Sequence, residues 1–91
     1  MKDKSLKIIN HYGINNQQRK FNEEVFELQE SITTYELNGK NKEHIAEEIA
    51  DCYNLLEQFI KYYDIPKTTI NRIQLFKQDR QLKRIENEVK E

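Results

Sequence analysis

The chain has 91 residues, of which 34% are charged and 36% hydrophobic, with two Gly, one Pro and one Cys. Those totals describe one domain, 1–91, of amphipathic helices with a modest core, and leave too few turn residues for a sheet. The net charge of −1 argues against a nucleic-acid binder, which carries a general basic excess; no signal peptide or membrane span is expected, and the lone Cys52 suits a reducing cytoplasm.

The spacing predicts an all-α antiparallel bundle of four helices: short over 3–12, long over 15–38 and 42–63, and a last one over 67–88. In the first, Asp3 or Ser5 can cap the start, Leu6 and Ile9 form an apolar side, and Gly13 ends it. In the second, Asn15 or Asn16 can cap, and Phe21, Val25, Leu28, Ile32 and Tyr35 recur at helical spacing as one stripe. Asn38-Gly39 is its stop signal. The third starts at a capping Asn41 and carries Ile45, Ile49, Cys52, Leu56, Phe59 and Tyr63 as its stripe. Asp64-Ile65-Pro66 breaks it, because Pro cannot continue a helix interior. Tyr53, Tyr62 and Tyr63 are expected to pack in a core or a seam between copies. The fourth is apolar on two sides, Ile70, Ile73 and Phe76 on one and Leu75, Leu82, Ile85 and Val89 on the other. Two apolar sides imply two neighbours, so oligomerisation is expected to complete the bundle.

Charge is placed unevenly. Residues 23–57 hold ten acidic residues against Lys40 and Lys42, whereas 67–91 hold seven basic residues against four acidic. The acidic centre contains one pattern written twice, 24 positions apart: Glu23, Glu24 and Glu27, then Glu47, Glu48 and Asp51. At about 100° per residue, Glu24 and Glu48 fall about 60° off their stripes and Glu27 and Asp51 about 120° off, on the same side. In an antiparallel hairpin these carboxylates flank the seam. A turn near Lys40 leaves the two acidic turns about five residues out of level, roughly 7 Å at 1.5 Å per residue. Carboxylates brought together repel unless protonated or neutralised, and Mg²⁺ takes such an all-oxygen set. His44 is the one soft ligand near these rows, so zinc is not expected. Acidic rows beside an apolar stripe are also what a solvated helix shows.

The motif Glu23-Glu24-x-x-Glu27, twenty intervening residues, then Glu48-x-x-Asp51 resembles that of the MazG-like nucleoside triphosphate pyrophosphohydrolases, all-α enzymes related to the dimeric dUTPases. His11-Tyr12-Gly13 leading to Gln17, and the helix order, extend the resemblance over roughly 8–85. It implies hydrolysis of a nucleoside triphosphate to its monophosphate and pyrophosphate. Glu24, Glu27, Glu48 and Asp51 would hold Mg²⁺, with Mn²⁺ as a substitute, and Glu23 or Glu27 would be the base. A cytoplasmic homodimer or homotetramer is implied. Around that site, Gln17 lies on the Glu24 row as an amide for a base or phosphate. Asn54 turns toward the acidic side, to touch base or sugar or to face water. Lys77, Arg80 and Arg84 share a face of the last helix, either to grip phosphates or as a solvated row. The competing expectation is a non-catalytic helical interaction module.

Overall fold

Asp3 starts the fold. Its carboxylate accepts from the Leu6 amide at 3.1 Å, satisfying one free donor in the first turn of α1 (Lys4–Tyr12). That bond, with the Lys61 ammonium at 3.2 Å, holds the Asp3 carboxyl below its usual range. The structure is a computed structural model and describes residues 3–90.

Gly13 is the hinge between α1 and α2 (Ile14–Asn38): at φ 90° it donates to the Ile9 carbonyl at 2.8 Å and serves as first cap of the next helix. Neither Asn15 nor Asn16 caps α2, contrary to expectation. A one-residue hinge places both already inside the first turn, and the Asn16 amide instead donates to the Tyr12 carbonyl at 2.7 Å. Gly39, at φ 69°, closes α2 by donating to the Tyr35 carbonyl at 2.7 Å. Asn41 precedes α3 (Lys42–Tyr62), but at φ 67° its side chain makes no capping bond; its carbonyl accepts from the His44 amide at 3.0 Å. Asp64 at φ 52° and then Pro66 turn the chain into α4 (Lys67–Lys90), whose first residue pairs with Glu57 at 2.7 Å.

The fold is therefore all-α, with the four helices where the spacing places them. α2 and α3 form an antiparallel hairpin and α1 lies against both. Ile9, Cys52 and Leu55 are the buried apolar side chains among the described residues. The buried row of α2 is polar: Gln17, Glu24 and Ser31, two turns apart. The apolar stripe of α2 is half-buried or exposed; within it Phe21 meets Phe59 of α3 edge-on, ring centroids 5.6 Å apart, while Gln17 donates across the hairpin to Gln58 at 2.7 Å. Tyr53, Tyr62 and Tyr63, expected to pack, are exposed in this chain. Helix α4 leaves the body: beyond Ile70 every described side chain is exposed. No described helix is long and apolar enough to cross a membrane.

Candidate metal centre

The hairpin closes the expected offset between the acidic turns. Glu24 from α2 and Glu48 from α3 are buried, Glu27 is open to solvent, and each offers an oxygen within 4.8 Å of the others. The Oε2 atoms of Glu24 and Glu48 are buried with no hydrogen-bond partner. A buried carboxylate oxygen without a partner carries its full desolvation cost, which a cation within reach of both would remove. Three carboxylates form a hard, all-oxygen donor set, which fits Mg²⁺ or Mn²⁺.

Charge is distributed unequally inside the trio. Burial pushes the Glu24 carboxyl up, but the Lys20 ammonium at 3.1 Å outweighs it and holds the group below its usual range. Glu48 has no lysine or arginine beside it: burial, and then the adjacent Glu24 and Glu27, push it up. Of the two, Glu48 is therefore the carboxyl pushed toward protonation and Glu24 the one held toward its charged form. Asp51 is raised by burial and by Glu24 beside it, and the Cys52 thiol by burial and the same acids.

The other expected residues fall in three places. Asp51 stands next to Glu24 but outside the trio. With Glu24, Gln17, Lys20, Asn54, Leu55 and Gln58 it lines a cleft of ≈ 160 Å³. Gln17 is buried and occupied by Gln58, so it closes the hairpin as well as facing the cleft. Glu23 is exposed at the surface, 3.9 Å from Lys20, and is not part of the trio. Lys77, Arg80 and Arg84 lie on the projecting α4, where Arg84 donates to Gln81 at 3.1 Å; within one chain nothing brings that row to the acids.

Lys20, the partner of Glu24, went unread in the sequence; His44, noted there only as a soft ligand near the acidic rows, is the neighbour of Glu48. His44 Nε2 lies 3.7 Å from Glu48 Oε1. Both sit one helical turn before a buried glutamate, and that spacing was the available signal. The repeat extends further than the acids. A second cleft, of ≈ 540 Å³, is lined by Asn41, His44, Glu48, Glu27, Glu30, Ser31 and Thr34. Shifting each residue of the smaller cleft by 24 positions, forward on α2 and back on α3, yields this lining. Gln17 corresponds to Asn41, Lys20 to His44, Glu24 to Glu48 and Asp51 to Glu27: an amide, a side-chain nitrogen facing the buried acid, and two acids recur. Asn54, Leu55 and Gln58 give way to Glu30, Ser31 and Thr34. The hairpin thus has an approximate two-fold axis through its acidic centre, with one cleft on either side. No family model, curated protein or solved structure matches the chain.

Proposed function

We propose that the protein is a Mg²⁺-dependent nucleoside triphosphate pyrophosphohydrolase, releasing the monophosphate and pyrophosphate. The single observation that carries this reading is the pair of buried, partnerless oxygens of Glu24 and Glu48 beside Glu27. The motif resemblance to the MazG-like enzymes supplies the reaction class. Glu24, Glu27 and Glu48 would hold the ion, with Asp51 next to Glu24 as a further donor. When bound, Mg²⁺ neutralises phosphate oxygens and lowers the pKa of a water. The water oxygen attacks the α-phosphorus, the bond from it to the α–β bridging oxygen breaks, and pyrophosphate leaves. Glu27 is the solvent-facing member of the trio and is better placed than the outlying Glu23 to accept the water's proton. A homodimer or homotetramer in the cytoplasm is the working form in this reading.

The unpacked apolar side of α4 favours a second reading, a helical interaction module without catalysis. Incubation with a panel of nucleoside triphosphates and Mg²⁺, following monophosphate and pyrophosphate, separates the two. Turnover that vanishes in Glu48→Gln and in Asp51→Asn supports the hydrolase. No turnover of any nucleotide, with no shift of the melting temperature by Mg²⁺ or Mn²⁺, supports the module.

A further inference from the structure

The two clefts, one on either side of the acidic centre, are alike in plan and unlike in size and charge, and the difference gives the line through them a direction. In the smaller, Gln17 and Gln58 bond to each other and fill the space. Their counterparts Asn41 and Thr34 are shorter and leave ≈ 540 Å³ open, within the range of small-molecule sites, whereas ≈ 160 Å³ holds little more than a phosphate group. The large cleft has Glu27, Glu30 and Glu48 on its walls and no lysine or arginine, which disfavours a polyphosphate but offers acceptors to hydroxyl and amino groups; the small cleft sets Lys20 against Glu24 and Asp51. The small cleft shares Gln17 and Lys20 with a surface pocket of ≈ 540 Å³ that adds Tyr12, Asn16, Arg19 and Glu23, and that pocket brings the two cations Lys20 and Arg19 together. Between the two lie Glu24 and Glu48, each more than nine-tenths buried with one oxygen unpartnered.

Resting on the hydrolase reading, we infer that a nucleoside triphosphate lies along this line in one direction. Its β and γ phosphates point to Lys20 and Arg19, and its nucleoside occupies the cleft of Asn41, Thr34 and His44. Lys20 exchanges its ion pair with Glu24 for phosphate oxygens. Asn41, which spends no side-chain bond on capping α3, offers its amide to the sugar or base. The phosphate grip therefore comes from the same chain as the acids, on α2, and not from Lys77, Arg80 and Arg84.

Calorimetry with three probes tests this: Mn²⁺ alone, imidodiphosphate with Mg²⁺, and α,β-imido nucleoside triphosphates with Mg²⁺. Lys20→Met and Arg19→Met each weaken imidodiphosphate by about tenfold, the loss of one charge-assisted contact. Lys20→Met meanwhile leaves Mn²⁺ binding unchanged or tighter, because Glu24 loses its competitor; a merely structural role would weaken both. Asn41→Ala and Thr34→Val weaken the nucleotide analogue by about tenfold and leave imidodiphosphate within about twofold. The inference is overturned if Lys20→Met and Arg19→Met bind imidodiphosphate normally, or if the triple variant Lys77→Met, Arg80→Met, Arg84→Met loses it while Lys20→Met does not. Wild-type protein that binds Mn²⁺ but no imidodiphosphate or nucleotide analogue overturns the hydrolase reading itself.

Discussion

Glu48 is the residue at which burial, charge and function meet. Its folded pKa lies above the ordinary carboxylate value of 4.5, through burial and then Glu24 and Glu27. A carboxyl raised by folding contributes its stability fully below the unfolded pKa and loses it as pH rises through the folded one. With chelator present, Glu48→Gln should therefore melt higher than wild type at neutral pH, and the gap should close toward pH 4.5. Adding Mg²⁺ should raise the melting temperature of wild type and leave the variant unmoved. Parallel melting curves across that range, with equal response to Mg²⁺, would show that the carboxylate is simply solvated. That Glu24, Glu27 and Glu48 share one side of their stripes was legible in the sequence, because helix spacing fixes that angle. Their meeting was not, since it depends on the level at which two helices dock. Lys20 could have been read from its place four residues before Glu24, but only the fold shows that it is this ion pair that keeps Glu24 charged while Glu48 is pushed toward protonation.

Among the elements, the α2–α3 turn carries two left-handed residues with opposite consequences. Gly39 at φ 69° meets nothing within 4 Å of an added Cβ, so Gly39→Ala carries only the conformational penalty, about 1–2 kcal/mol. Asn41 holds φ 67° with no capping bond to compensate, so Asn41→Gly should stabilise, by less than about 1 kcal/mol because Asn tolerates this region. Urea denaturation of both variants checks the signs; destabilisation by Asn41→Gly would mean that its side chain holds the turn. Leu55→Ala, at the buried centre of α3, should cost about 2–5 kcal/mol, a large part of the stability of a domain this size. Helix boundaries were readable because Gly13, Gly39 and Pro66 act locally, through φ preference and a missing donor. Asn15 and Asn16 were misread as caps, since the one-residue hinge at Gly13 leaves them inside the helix, whereas Asn41 does hold the cap position of α3 but in a left-handed conformation that makes no side-chain bond. The apolar stripe of α2 was readable as a stripe, but not as one that shares the α3 contact with a polar row: the Gln17–Gln58 bond joins residues 41 apart.

At the scale of the molecule, one chain is open and exposes much apolar surface. Its radius of gyration is 17.0 Å, against about 12 Å for a compact domain of this length. Its accessible surface is 7912 Å², against about 5,700 Å² for a folded monomer of 11.1 kDa. The excess, of order 2,000 Å² per chain, would give a dimer an interface in the obligate class. The surface to be covered is visible: Phe26, Ile32 and Leu37 on α2, and Phe76, Leu82 and Ile85 on α4. Periodicity in α4 pointed to two neighbours, and the fold supplies neither within the chain. Sedimentation equilibrium of the wild-type protein at micromolar concentration should therefore return a multiple of 11.1 kDa. The double variant Phe76→Asp, Leu82→Asp should dissociate and lose melting temperature together, because buried apolar area is what such a charge removes. A wild-type monomer with a cooperative, concentration-independent melt would instead mean that α1, α2 and α3 are stable alone. The exposed side of α4 would then be free for a different partner.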